Sequence, residues 1–292
     1  MAAEKWFNTI WMKDTWVDSE MAMTMDRWDT IEEIFTKAKE IMAGNIEMKF
    51  TGEEYTRFYG SVFTLCTKMP GTYGESQIVF DKCKGFMEEC ITCTVLPSLE
   101  EKHDDDMLRE LVKMWSNYRV MVKWLSRFFG YLDHYFLQSQ EPSTIYDTGI
   151  CCFSNLVCQE LNAKFRDAVK SLINQERNGK QIDQGLVKNV LDFFVDISKG
   201  CNCPEKDMDF YKDFELAMLE DTTAYYSQKA SKWISEDSFM EYKLKVKQCL
   251  NQEMERVSHY LQPSNQEKLL QVVRWELVLV HATELRKKMQ SK

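Results

Sequence analysis

The sequence predicts an all-α protein, an elongated stack of helical bundles, and three observations support this class. Apolar residues recur every three or four positions through nearly every apolar segment, which is the period of an α-helix. Only five prolines and eleven glycines occur in 292 residues, few for a β-protein with many turns. A set of about five predicted helices is followed by the start of a second set, which indicates a helical repeat array.

The stretch from Met107 to Phe136 is predicted to be one long helix around which the rest is organised. It contains no proline and a single glycine, Gly130, near its end. Two apolar stripes run along it at helical spacing, so we expect it to be packed on most sides. Charged residues interrupt the stripes, so the expected surroundings are protein rather than lipid.

Three helices are predicted before this segment. The first spans about residues 24–43. The second begins at a capping box formed by Thr51 and Glu54, and the third spans about residues 76–99. Residues 1–23 are rich in Trp and Met and are expected to dock on the core through their aromatic side chains, with a partner-binding arm as the alternative.

Five further helices are predicted after the long segment. They span about residues 149–175, 183–198, 208–227 and 230–259, and a final stretch after Pro263. The dipeptide Asn178-Gly179 is a strong break between the first two. The fourth has a candidate break near Asp237. Ser264 and Glu267 form a capping box at the start of the last helix.

Charge and composition exclude several classes of protein. The formal net charge is -9, which argues against nucleic acid or an anionic membrane as the main partner. No run of about 18 apolar residues is present, so no membrane span is predicted, and the first residues do not resemble a signal peptide. Ten cysteines without a signal indicate reduced thiols, so the expected location is cytoplasmic and nuclear.

The search for catalytic chemistry yields no constellation of residues. The sequence has no phosphate-binding glycine loop, no nucleophile elbow and no H-E-x-x-H motif. Cys90 and Cys93 form a C-x-x-C, and Cys201 and Cys203 a C-x-C. A zinc site needs four ligands at recognisable spacing, so buried or free thiols are the preferred interpretation. No metal, cofactor or catalytic residue is expected.

Several segments do resemble a known family. From about Thr24 to the end, the chain is similar to the amino-terminal part of cullins, closest to the plant cullins of the SCF (Skp–cullin–F-box) class. The resemblance is carried by DRWDTIEEIFTKAKEIMAG, YTRFYGSVFTLCTK, TVLPSL, KHDDDMLRELVKMWSNYRVMVKWLSRFFGYLDHYF, QERNGKQIDQGLVKNVLDFFVDI, FELAMLEDTTAYYSQKASKWISEDS and ERVSHYLQPSNQEKL.

The resemblance implies a fold and a function. The fold is a stack of cullin repeats, each a five-helix bundle, with an extension at 1–23, a first repeat at 24–178 and a second at 179–292. Cullins are scaffolds of ubiquitin ligases and not enzymes. Their first repeat binds a Skp-type adaptor that holds an F-box substrate receptor, and their carboxy-terminal domain binds the RING-box subunit.

The sequence departs from the family pattern because it stops after two repeats, so binding of a RING-box subunit is not expected. The chain is then expected to be a fragment of a longer cullin or a short cullin-like protein, and its length of 292 residues favours the second. Two other hypotheses are a helical-bundle enzyme with a dispersed site and a subunit of a tethering complex, which would share the fold.

The resemblance also implies an adaptor-binding surface made by two helices of the first repeat. Large side chains such as Tyr and Met suit the buried centre of a protein interface, whereas ordinary core packing is the alternative for an aromatic stripe. The matching positions are Tyr55, Tyr59 and Val62 on one helix, and His103, Met107 and Glu110 at the start of the long helix.

Overall fold

The computed structural model describes residues 25–67, 74–138, 140, 143–200, 209–261 and 263–290. Every regular element in these ranges is a helix, and no strand occurs among them. The predicted all-α class is confirmed. The Trp-rich segment 1–23 and both Cys201 and Cys203 lie outside the described residues. The predictions for them therefore stay predictions.

The helices follow one another closely along the chain. Their bounds are α1 (25–42), α2 (Gly52–Thr67), α3 (Gly74–Cys90), α4 (Leu96–Glu100), α5 (Asp104–Phe128), α6 (Gly130–Tyr135), α7 (Ile145–Phe153), α8 (Gln159–Arg177), α9 (Gln184–Gly200), α10 (Phe210–Glu236), α11 (Phe239–Tyr260), α12 (Pro263–Arg274) and α13 (Ala282–Gln290). π-Helical turns connect α3 to α4, α7 to α8, and α12 towards α13; they are Ile91–Val95, Ser154–Cys158 and Trp275–Leu279.

The chain divides into two compact units. The first takes its described residues from Met1–Glu100, Lys113–Gln159 and Gly200–Glu205, and the second from Glu101–Val112, Glu160–Lys199 and Lys206–Lys292. The start of α5 thus belongs to the second unit and the rest of α5 to the first. The repeats predicted at 24–178 and 179–292 stay a prediction.

The core of the first unit is built on α5. Tyr118 is fully buried, and its hydroxyl donates a hydrogen bond to the carbonyl oxygen of Gly149 over 2.9 Å. Phe153 packs against Tyr118 and Trp115, with ring centroids 5.1 and 4.9 Å away. The buried amide of Asn117 donates to the carbonyl of Met42 over 3.1 Å. The middle of α5 is therefore packed as predicted, and the polar groups of Tyr118 and Asn117 are hydrogen-bonded.

The second unit has an apolar core and a buried ion network. Phe194 stacks on Phe214 with centroids 5.8 Å apart. The carboxylate of Glu253 is fully buried and accepts hydrogen bonds from Arg177 Nη2 over 2.8 Å and from the Tyr226 hydroxyl over 2.7 Å. Arg256 also pairs with this carboxylate. The buried charge of Glu253 is thereby compensated, as buried charges must be.

Several helix ends agree with their sequence signals. The Thr51 hydroxyl accepts from the Glu54 amide over 3.1 Å, and the Glu54 carboxylate accepts from the Thr51 amide over 2.8 Å, so that capping box is confirmed. After α8, Gly179 adopts a φ of +85°, and the Lys180 amide donates to the Gln175 carbonyl over 3.0 Å. This is the left-handed helix end that glycine favours.

Other helix bounds differ from the prediction. The helix expected over 107–136 ends at Phe128, because Phe129 leaves the helical region with φ -95° and ψ 12° before Gly130. The separation predicted between residues 227 and 230 is wrong, since α10 continues to Glu236. The candidate break near Asp237 is confirmed, and Ser238 begins α11 with a complete capping box.

The first residues of two helices also differ from the prediction. α7 begins at Ile145 and not near residue 149, because the Thr144 side chain accepts from the amide of Asp147 and caps the helix. α12 begins at Pro263, which suits the first turn of a helix because proline lacks an amide hydrogen. The side chain of Ser264 lies outside the described part, so its capping box stays a prediction.

Candidate functional site

The first three of the six predicted adaptor-binding residues lie on α2, in the first unit. Tyr55 is 40% exposed, Tyr59 is half-buried and Val62 is fully buried. The four-residue spacing places the two tyrosines on one helix face, and their rings stack with centroids 6.3 Å apart. Solvent therefore reaches the two tyrosines, whereas Val62 lies in the core beneath that helix.

The other three predicted residues lie at the start of α5, in the second unit. His103 precedes the helix and is exposed. Met107 and Glu110 are buried, at 5% and 7% exposure. The Glu110 carboxylate accepts a hydrogen bond from Lys102 Nζ. Within this group, His103 is thus the residue that a partner can reach directly.

The first unit exposes aromatic side chains in addition to the predicted site residues. We call Tyr55, Tyr59, Phe63, Tyr131 and Tyr135 the aromatic surface. Phe63 on α2 meets Tyr131 on α6 edge to face with centroids 5.2 Å apart, and Tyr131 stacks on Tyr135 at 4.6 Å. Phe63 is 44% exposed and Tyr135 70% exposed. At this end of the long segment, where packing on most sides is predicted, Tyr135 is therefore an exception.

The aromatic surface rests on buried and half-buried rings. Phe128 is buried and lies 5.9 Å from Tyr55 and 5.7 Å from Trp124, between ring centroids. Phe50 packs on Trp124 at 4.6 Å. Aromatic contacts at these distances contribute beyond the area they bury. The tyrosines are consequently held on a firm base, which reduces the entropy that a partner must remove on binding.

Ion pairs fix the position of α2 against α1. Arg57 binds Glu33 with two hydrogen bonds of 2.6 and 2.7 Å, the bidentate geometry that a guanidinium gives with a carboxylate. Lys37 Nζ donates to Glu54 over 2.5 Å. The hydrogen bonds from Lys37 and Thr51 lower the pKa of Glu54 to about 2. The carboxylate that caps α2 is therefore ionised at neutral pH.

The second unit contains a polar cleft that bears on the enzyme hypothesis. Its volume is about 310 Å³, and Glu176, Arg177, Arg256 and His259 are among its lining residues. Arg177 pairs with Glu253, and Arg256 Nε lies 3.2 Å from a Glu176 oxygen. The cations and carboxylates at this cleft neutralise one another. This arrangement suits a structural ion network and lends no support to a catalytic site.

None of the described cysteines forms a disulfide. Cys90 is buried and Cys93 exposed, while Cys151, Cys152 and Cys158 are buried as the packing interpretation predicts. Burial raises the pKa of the Cys90 thiol to about 12, so it stays protonated and unreactive. No group of three or more His, Cys, Asp or Glu side chains suited to a metal ion occurs in the described ranges.

Sequence comparisons show which known proteins this chain is similar to. A family model described as the cullin alpha solenoid domain matches residues 28–291. Cullin-1 of Oryza sativa subsp. japonica is 47% identical over 265 residues, 90% of this chain and 35% of that protein. Cullin-like protein 3 of Arabidopsis thaliana is 40% identical over 245 residues, 84% of this chain and 92% of that protein.

Another relative lies between these two in coverage. Putative cullin-like protein 2 of Arabidopsis thaliana is 42% identical over 255 residues, 87% of this chain and 66% of that protein. The chain therefore spans about a third of the rice relative and just under two thirds of this one. Among the helices that the structure describes, none has the length and apolar content needed to cross a bilayer.

Proposed function

The chain belongs to the cullin family, and from that premise we propose that it is a scaffold subunit of an SCF-type ubiquitin ligase. In this proposal it carries no catalytic site of its own. Its first unit holds a Skp-type adaptor, which in turn holds an F-box substrate receptor. The proposal places the adaptor on the aromatic surface defined above.

The observation that supports this proposal is a cluster of five aromatic side chains on α2 and α6, of which Tyr55, Phe63 and Tyr135 are exposed and the other two are half-buried. Tyrosine and other large side chains dominate the binding energy of protein interfaces when they cluster at the centre. Contiguous exposed apolar area of this kind is unusual on a chain that acts alone. The surface also lies on α2 and α6, which meet through the ring contact of Phe63 with Tyr131, and ion pairs join α2 to α1.

The six residues expected from the family resemblance have different roles in this proposal. Tyr55 and Tyr59 contact the adaptor at the centre of the aromatic surface. Val62 supports them from the core, since it is fully buried. His103 remains a proposed contact because it is exposed, whereas the buried Met107 and Glu110 hold the start of α5 in place.

The proposal is tested by replacing the two tyrosines together. Loss of a central aromatic anchor costs about 2 kcal/mol or more of binding free energy, which is roughly a thirtyfold loss of affinity. The variant Tyr55→Ala/Tyr59→Ala should therefore bind a purified Skp-type adaptor at least about thirtyfold more weakly than the unmodified chain, as measured by isothermal titration calorimetry.

The control is Trp275→Ala, which removes a large exposed aromatic side chain (58% exposed) from the second unit. It should leave adaptor affinity unchanged. Circular dichroism must show that both variants keep their helicity. If the tyrosine variant is folded and binds as tightly as the unmodified chain, or if the unmodified chain does not bind the adaptor, the proposal is wrong.

A further inference from the structure

A row of cations runs along the outer face of α5, in the part of that helix that belongs to the first unit. Arg119, Lys123 and Arg127 are four residues apart and all exposed, so they share one face of the helix. The row spans about 12 Å along the helix axis. Such a row stands out in a chain whose net charge is -9.

The cationic row borders the aromatic surface through two rings. The Arg127 guanidinium lies 4.7 Å from the centroid of the Trp124 ring. Trp124 packs on Phe128, which in turn packs on Tyr55. The sequence of contacts is therefore cation, tryptophan, phenylalanine and exposed tyrosine within a single unit. A partner centred on Tyr55 would reach the cationic row at the edge of the same interface.

Two cations of the row have no carboxylate partner within the described part of the chain. Neither Lys123 nor Arg127 forms an ion pair there, in contrast to Arg57 and Lys37 on the neighbouring helices. Arg127 lies in the last turn of α5, where a cation suits the negative end of the helix dipole. Lys123 lies one turn earlier, so the dipole alone does not account for the row.

We infer that Arg119, Lys123 and Arg127 bind an acidic segment of the adaptor that docks on the aromatic surface. The inference rests on the proposed function and adds the chemistry of the partner at the edge of the interface. Successive cations are separated by about 6 Å along the helix. An extended segment presents every second side chain on one face at about 6.6 Å, so acidic residues at alternate positions would match the row.

Charges at the rim of an interface act mainly on the rate of association and on its dependence on salt. The test is the affinity of Lys123→Glu/Arg127→Glu for a purified Skp-type adaptor at about 0.01 M and about 1 M salt, where the Debye length is about 30 and 3 Å. We expect roughly a tenfold loss of affinity at low salt, carried by slower association. At high salt the variant and the unmodified chain should bind alike.

The matched control is Lys243→Glu/Lys247→Glu, which reverses two exposed lysines four residues apart on α11 in the second unit. These lysines also lack a carboxylate partner among the described residues. The control changes the net charge by the same amount and should leave both affinity and salt dependence as they were. An equal loss in the control would show a general charge effect and would overturn the inference.

A carbodiimide cross-link gives a second measurement that does not depend on affinity. The reagent joins a lysine amine to a nearby carboxylate, and we expect Lys123 to be joined to an Asp or Glu of the adaptor. Lys123→Arg keeps the charge but removes the amine, so it should lose this cross-link and still bind. Circular dichroism checks that Lys123→Glu/Arg127→Glu is folded.

The possible outcomes distinguish a failure of the acidic-segment inference from a failure of the proposed function. If the unmodified chain binds the adaptor, and Lys123→Glu/Arg127→Glu binds equally well at low salt, the inference about the acidic segment is wrong while the proposed function stands. If the glutamate variant unfolds, absence of a cross-link from Lys123 in the unmodified complex overturns the inference. If the unmodified chain does not bind the adaptor at either salt concentration, both are wrong.

Discussion

At the scale of single residues, Glu253 shows how a charge is kept inside the second unit. Burial alone would raise the pKa of this carboxyl group, but Arg177 and Arg256 hold the pKa below its usual value. Both guanidinium groups are themselves almost fully buried. Removing one member of such a group leaves a buried charge without an opposing charge. The resulting loss of folding stability is larger than the net contribution of the intact ion pair.

We therefore expect Glu253→Gln to destabilise the second unit by about 3 kcal/mol or more at neutral pH. The expected readout is faster hydrogen exchange of amides in α10 and α11. A carboxyl group whose pKa is lowered by folding stabilises the folded state at pH values above its ordinary pKa, and this stabilisation is lost on acidification. The difference in free energy of unfolding between Glu253→Gln and the unmodified chain should thus narrow as the pH falls below about 4.

The control for this prediction lies two residues away. Glu255 is exposed, so Glu255→Gln removes the same charge from the surface and should change stability by less than about 0.5 kcal/mol. Equal stability of Glu253→Gln and the unmodified chain at pH 7 would mean that the ion network is not needed for the fold.

Sequence spacing predicted which residues share a helix face, but not which faces are covered. Tyr55 and Tyr59 were correctly placed on one face. Met107 and Tyr135 both lie in the long segment that is predicted to be packed on most sides, yet Met107 is buried and Tyr135 largely exposed. The difference is decided by which other helices pack there, and helical periodicity carries no information about that.

At the scale of helices, Gly149 allows α7 to approach α5 closely. A Cβ atom at this position would lie 2.6 and 2.9 Å from the two methyl groups of Val122 and 3.1 Å from the Met87 sulfur. The Gly149 carbonyl also accepts the hydrogen bond of the buried Tyr118 hydroxyl. Sequence patterns do not predict these contacts, because Gly149 is far along the chain from both Val122 and Tyr118.

The prediction is that Gly149→Ala destabilises the first unit by about 1–3 kcal/mol, because overpacking forces Val122 or the helix to shift. Helix propensity alone would predict a gain from the same substitution. Gly85→Ala in α3 is the control, since nothing lies within 4 Å of a Cβ there, and it should be neutral or stabilising. Urea denaturation of both variants decides between the two effects.

Helix ends were predictable where a local signal determines them. The Thr51–Glu54 capping box and the turn at Gly179 follow from interactions within a few residues. The π-helical turn Ile91–Val95 precedes Pro97 and was not predicted. The Leu96 amide donates to the Ile91 carbonyl, one residue further back than in an α-helix. A proline disturbs the helical turn that precedes it. Whether the chain there forms a π-helical turn depends on packing, which local sequence does not specify.

At the scale of the whole molecule, the share of a cullin that this chain matches bears on which partners it is expected to bind. The matched residues cover most of this chain but 35% of the rice Cullin-1 sequence. The resemblance places adaptor binding in the amino-terminal part of cullins and RING-box binding in a carboxy-terminal domain. In the proposed function, a polypeptide limited to these 292 residues is therefore expected to hold the adaptor through its first unit.

The last prediction follows from this separation. A chain that occupies the adaptor but does not recruit the conjugating enzyme acts as a competitor of a full-length cullin. Added in excess to a reconstituted SCF ligase, it should reduce substrate ubiquitination in proportion to the fraction of adaptor that it occupies. Raising the adaptor concentration should restore activity, because competition for one site obeys mass action.

The variant Tyr55→Ala/Tyr59→Ala serves as the control, and it should inhibit only at concentrations at least about thirtyfold higher, matching its expected loss of affinity. Inhibition that persists unchanged in this variant would show that the chain acts on the ligase elsewhere than through the aromatic surface. Ubiquitin chains formed with this polypeptide as the only cullin would contradict the separation of adaptor binding from recruitment, because a scaffold accelerates transfer only by holding both partners at high effective concentration.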